Sequence, residues 1–224
     1  MASYGTVAQL QVRTDMTEAL SVAKTAEYTE ILEAISRKID NFCRRPDGFV
    51  SSDADVTRYF EGKGLSYLKI PECTSITLVS VKDSYLDTTY VDWATPTSAY
   101  AGDGDWFPVA GSKSRPIYNR TPYRLLLIDG NGDYSYFTKG YGMVTVKIAA
   151  KWGYATEVPP DIREACLAQA AILIKRFESS MDTTAGSSDL GTIVMRVRQA
   201  SLTRDVRELL VDSKWVLPLY AGGV

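Results

Sequence analysis

Between Thr14 and Arg45 the chain contains neither Gly nor Pro, and Tyr28, Ile31, Leu32, Ile35, Ile39 and Phe42 recur at intervals of three and four. That spacing predicts an amphipathic helix with one buried stripe. Glu27, Glu30 and Glu33 stand toward its start and Arg37, Lys38, Arg44 and Arg45 toward its end, which complements the helix dipole. Pro46 and Gly48 stop it. Thr6–Gln11 is a candidate for a short separate helix. A second stripe, Ile162, Cys166, Ala170, Leu173 and Phe177, follows Pro159-Pro160, which suit a first helical turn. Ala165, Ala168 and Ala171 on the same segment allow another element to approach closely.

Between these helices the period changes to two. Val56–Glu61, Ser66–Ile70 and Ser75–Lys82 alternate and are rich in β-branched and aromatic residues, with Gly62-Lys63-Gly64 and Pro71 as breaks. Tyr90–Trp93, Tyr123–Ile128, Tyr134–Thr138 and Met143–Trp152 read the same way. Residues 84–121 are dominated by Asp, Thr, Gly, Ser and Pro and predict an elaborated loop with a hairpin. The expected fold class is α+β: two long amphipathic helices packed with a small antiparallel β-sheet, followed by an extended C-terminal arm.

The expected domain plan is a core over 1–180, a Ser/Thr/Asp/Gly linker over 181–192 and an arm over 193–224 that includes a short helix. In the arm, Ile193, Met195 and Val197 alternate with Val194, Arg196 and Arg198. Thr203–Val211 reads as the helix. Leu209, Leu210, Trp215, Val216, Leu217, Leu219 and Tyr220 make a terminus too apolar for a solvated tail. Two roles are open to it: docking onto a partner, by strand addition or apolar insertion, or completing the protomer's own core.

Composition narrows the chemistry. With no histidine among 224 residues, Ser-His-Asp and Cys-His pairs, His-ligated zinc and haem are excluded. Cys43, Cys73 and Cys166 are scattered and odd in number, which fits neither a disulfide framework nor a CxxC site. MASYGTVAQL lacks the basic and apolar segments of a signal peptide, and no apolar run is long enough to span a bilayer, so no membrane association is expected. No catalytic set and no cofactor motif emerge, so no enzyme, cofactor or metal is expected. Asp129-Gly130-Asn131-Gly132-Asp133 opens like a calcium loop, but Tyr134 stands where Gly is required and Gly140 where the bidentate Glu is required. Two other classes remain as alternatives. One is a metal-assisted hydrolase using Asp103, Asp105, Asp129 and Asp133. The other is a small nucleic-acid-binding module using the basic cluster Arg196, Arg198, Arg204 and Arg207.

Three stretches in order carry a family resemblance: ILEAISRKIDNFCRR at 31–45, TRYFEGKGLSYLKIP at 57–71 followed by SITLVSVKD, and VKIAAKWGYATEVPPDIREACLAQAAILIKRFES at 146–179. The last joins a strand ending in aromatic-Gly-Tyr, a Val-Pro-Pro-Asp turn and an alanine-rich helix. Together they resemble the adaptor, or head–tail connector, proteins of long-tailed bacteriophages. The resemblance implies a structural virion protein assembled in the bacterial host cytoplasm and located at the capsid vertex. It would form a homo-oligomeric ring of about twelve copies, joined to the portal protein and to a downstream neck or tail-completion protein. Double-stranded DNA would pass through its channel without sequence-specific binding. At −2 per chain, about twelve copies carry about −24, which disfavours adhesion of sliding DNA. Within this reading the portal or partner contacts fall to Ile193, Met195, Arg196, Val197, Arg198, Trp215, Leu217 and Tyr220.

Overall fold

The computed structural model describes residues 3–16, 19–97, 104–181 and 201–217, with backbone only for 177–181. The chain divides into two compact units, one of Met1–Gly48 with Val158–Val224 and one of Phe49–Glu157.

The first unit is helical. Helix α1 (Val7–Thr14) starts at a capping box, in which Gln9 N donates to Thr6 Oγ1 at 3.2 Å and Thr6 N to Gln9 Oε1 at 3.0 Å. Helix α2 (Val22–Cys43) is capped by Ser21, whose hydroxyl accepts from Lys24 N, and ends at Arg44 in the left-handed conformation, φ 59°. Helix α3 spans Pro160–Met181 and α4 spans Arg204–Asp212. Helix α3 packs against the other three. Tyr28, Ile31, Leu32, Ile35 and Ile39 of the expected stripe are buried, with Cys43 rather than the half-buried Phe42 completing it, as are Ile162, Ala165, Cys166, Ala170 and Leu173 of α3. Before α1 the chain passes α3 so closely that a Cβ on Gly5 would lie 2.7 Å from Leu167 Cδ2.

The second unit is a six-stranded, wholly antiparallel sheet: β1 (Val56–Phe60), β2 (Tyr67–Val81), β3 (Val91–Asp92), β4 (Trp106–Val109), β5 (Tyr123–Ile128) and β6 (Val146–Trp152). Its order is β1-β6-β2-β5-β4, with β3 beside β2. Alternation sets the buried face: Val146, Ile148, Ala150 and Trp152 are buried and join Leu68, Val79, Val81, Trp93, Trp106, Leu126 and Phe137 in one core. Trp93 stacks on Tyr134 at 4.4 Å and on Phe137 at 5.1 Å.

Two long helices packed with a small sheet is not the architecture observed. The sheet dominates its own unit, and the helices pack on one another in the other. Three misjudged stretches account for the difference. Pro71 does not break a strand: β2 runs through it for 15 residues. The proline falls in a register irregularity between Lys69 and Cys73, where its missing N–H costs no ladder bond. Residues 84–121 hold β3, inside the expected Tyr90–Trp93, and also β4, which the loop reading did not contain. Conversely, Tyr134–Thr138 forms no strand; Phe137 plugs the core and Tyr134 packs against it, while Tyr136 is exposed. Of the expected C-terminal arm, Ile193–Arg198 lie outside the described residues, and the short helix α4 packs on α3. Among the described residues no helix is long and apolar enough to cross a membrane.

Ile35 is fully buried on α2, so Ile35→Asp places an unpaired charge in the helical core. The expected loss is about 3–5 kcal/mol, read as a large drop in melting temperature. An unchanged melting temperature would show that this face of α2 is not core.

Candidate functional site

Of the residues assigned to partner contact, the structure places Trp215 and Leu217; Ile193, Met195, Arg196, Val197, Arg198 and Tyr220 lie outside the described residues. The segment leading to them is anchored first by α4. Leu202, Val206 and Leu210 are buried. Gln169 Oε1 on α3 accepts from both Thr203 N (2.8 Å) and Thr203 Oγ1 (3.1 Å), tying the start of α4 to α3. Lys214, at φ 58°, then turns the chain, and Trp215 N donates to Leu210 O at 3.0 Å.

Beyond this turn the chain runs onto the carbonyl end of α2. Leu217 N donates to Cys43 O at 3.1 Å, supplying a partner for a carbonyl that the helix itself cannot satisfy. Arg44 Nη1 donates to Leu217 O at 2.8 Å and Arg45 Nε to Trp215 O at 3.3 Å. The Trp215 indole N–H donates to Asp161 Oδ2 at 3.3 Å. Trp215, Val216 and Leu217 remain half-buried, so this clamp presents apolar surface while fixing its backbone.

The clamp rests on a buried polar group. Arg45 is only 4% exposed and Asp40 5%. Tyr4 donates its hydroxyl to Asp40, and Tyr4 N donates to Ser36 Oγ at 3.0 Å. Burial pushes Asp40 up to about 6, against the opposing pull of the Tyr4 hydrogen bond and the Arg45 charge. The N-terminal stretch of chain, the end of α2 and the C-terminal segment therefore converge on one cluster.

A second surface lies at the end of the sheet where the turns after β1, β2 and before β6 meet. Tyr59 packs on Tyr90 at 6.0 Å and Tyr85 on Tyr141 at 5.1 Å. Lys82 stands over Tyr90 and Lys139 over Tyr141, at 5.0 and 4.5 Å. Leu86, Tyr141, Tyr59 and Met143 are all more than half exposed. The sequence pattern does not group these residues, because the register between β1, β2 and β6 brings them together.

Two of the residues considered for chemistry, Asp105 and Asp129, serve structural ends. Asp105 is buried and accepts from Ala94 N (2.6 Å) and Asp133 N (3.0 Å), pinning two loops. Asp129 accepts from Asn131 N at 3.0 Å, the local bond of a tight turn. Asp103 lies outside the described residues. Among the described residues no group of three or more His, Cys, Asp or Glu side chains could hold a metal. Burial pushes the thiols up, Cys43 and Cys73 to about 12 and Cys166 to about 11, which suppresses thiolate reactivity.

No protein-family model matches the chain, and no curated protein matches it significantly. Among solved structures it is similar to a chain from the neck of an empty GTA particle, computed with C6 symmetry. The two are 12% identical with a TM-score of 0.53, over 96% of this chain and 91% of the other. At that identity the likeness is one of fold. The neighbour belongs to the neck of a particle and to a symmetric assembly.

The raised value of Asp40 has a defined sign. Its neutral form favours the folded state fully below the ordinary carboxylate range, and that contribution is lost as pH rises through about 6. Asp40→Asn keeps an acceptor for Tyr4 and removes the titration. Its melting temperature is expected to match the parent near pH 4 and to exceed it by roughly 2–6 °C at pH 7. Parallel curves across that range would mean Asp40 is not buried as described.

Proposed function

We propose that the protein is a structural component of the neck of a bacteriophage-like particle, forming a ring that joins the capsid portal to the neck or tail. The observation that carries this reading is the fold likeness to a neck chain over nearly the whole of both chains. The ordered resemblance of three sequence stretches to head–tail connectors supports it independently. A ring of about twelve copies contains a sixfold axis, so the family expectation and the neighbour's C6 symmetry agree. The ring leaves a channel through which double-stranded DNA passes. Contacts with the portal or another partner are made by the C-terminal stretch: Ile193, Met195, Arg196, Val197, Arg198, Trp215, Leu217 and Tyr220.

The function resides in surfaces rather than in a reaction centre. The Arg44–Arg45 clamp gives the apolar C-terminal stretch a fixed base, from which the residues after Leu217 extend to a partner. Ring contacts around an axis join two different faces of each subunit.

Reconstruction of particles carrying a tagged copy tests the location. The expected result is density for a closed ring at one capsid vertex; absence from the neck, or a two-fold dimer in its place, overturns the proposal. Tyr220→Ala is expected to leave the melting temperature unchanged and to lower joining to portal-bearing capsids by roughly tenfold, as loss of an interface aromatic does. Parental joining would remove Tyr220 from the contact.

A further inference from the structure

The two lateral edges of the sheet differ. Lys82 N donates to Thr145 O, so the odd-numbered residues of β6 from Thr145 turn their backbone groups toward β2 in that register. The even-numbered residues then face β1, where Ala150, Ile148 and Val146 oppose Val56, Arg58 and Phe60. Thr57 and Tyr59 consequently turn their N–H and C=O groups outward, and among the described residues those groups find no partner.

At the other edge, Ile128 N donates to Ser66 O, and the same alternation turns Trp106 and Pro108 of β4 outward. Pro108 has no N–H to offer, and the next outward donor, Ala110 N, is already bonded to Ile117 O at 3.0 Å. Edge strands are ordinarily guarded by such devices against pairing with another chain. Strand β1 carries one such device, Arg58 over the Trp152 ring, but it contains no proline, its register with β6 runs without a shift, and Val56 and Tyr59 are 45% and 54% exposed.

We propose that the β1 edge takes an extended strand from a second copy of this chain, and that Ile193–Arg198 supplies that strand. Six alternating residues without Gly or Pro match a five-residue edge. Ile193, Met195 and Val197 would continue the apolar face begun by Val56 and Phe60. Arg196 and Arg198 meet the exposed carboxylates Asp53 and Asp55 that precede β1. Only Gln199 and Ala200 separate Arg198 from Ser201, so the donated strand stays within roughly 11 Å of its own Ser201. The donor belongs to the helical unit and the acceptor to the sheet unit, the two unlike surfaces that a cyclic ring requires. This assignment rests on the ring reading and makes the partner of Ile193–Arg198 a neighbouring copy, leaving Trp215, Leu217 and Tyr220 for the portal.

Thr57→Pro deletes an outward N–H and leaves the bonds of Val56, Arg58 and Phe60 to β6. The expected result is a parental melting temperature with ring incorporation into particles reduced roughly tenfold or more. Incorporation at the parental level in a folded variant overturns the assignment. Cross-linking tests it without relying on that variant. Chains carrying Thr57→Cys are co-produced, with the other particle proteins, with chains carrying Val194→Cys, Arg196→Cys or Arg198→Cys, the donor positions that share the Thr57 face. A disulfide between copies in isolated rings is expected for at least one pair. Intact rings with no such disulfide, or capture of a different protein by the chain carrying Thr57→Cys, overturn the strand assignment alone. Particles with no ring of this chain defeat the ring reading itself.

Discussion

The carbonyl end of α2 must find partners, and the way it does so ties the two ends of the chain to one place. A helix leaves its last carbonyls without intrahelical donors. Here Arg45 N turns back to Asp40 O at 2.9 Å, and Leu217 N, from 174 positions further on, takes Cys43 O. The same turn buries Arg45 beside Asp40, which engages Tyr4 near the N-terminus. A helical unit assembled from two distant stretches of sequence thereby closes around one polar cluster. Removing any member leaves a buried group without its partner, which costs more than the hydrogen bond alone is worth.

The sheet meets a comparable requirement through β2. Its 15 residues pair with β5 over the first part and with β6 over the second, so one strand carries both halves of the sheet. Register shifts near Cys73 and Ile76 let it change partners without leaving the core face. The ladder that holds β6 also decides which backbone groups of β1 face outward. The stability of the sheet and the availability of its edge are thus consequences of one register.

A molecule organised this way offers several surfaces for contact. Among the described residues, Asp105 and Asp129 hold loops and a turn, the thiols are buried, and exposed aromatic side chains and open backbone groups remain. Tyr and Lys side chains grouped at one end of the sheet, an open edge strand and a clamped apolar terminus are all means of holding a neighbour. That agrees with the neck component proposed above.

Elements with a local cause were legible in the residues alone. The three- and four-residue spacing of Ile31, Leu32, Ile35 and Ile39 set the buried face of α2, and Pro160 marked the start of α3. Alternation placed β1, β5 and β6, and the absence of histidine excluded whole classes of chemistry. Pro71 misled because its cost depends on whether the ladder needs its N–H, and that is a property of the pairing, not of the residue. Strand β4 was missed because Trp106 and Val109 are recruited by β5, not by their own flanks. The partner-contact stretch was legible as too apolar for a tail, but Trp215 and Leu217 meet the end of α2 only because α4 lays that stretch along α3. Which helices pack on which, where the sheet ends, and which backbone groups stay open were settled in three dimensions. Each depends on residues far apart in the chain, and no window along the sequence contains both partners.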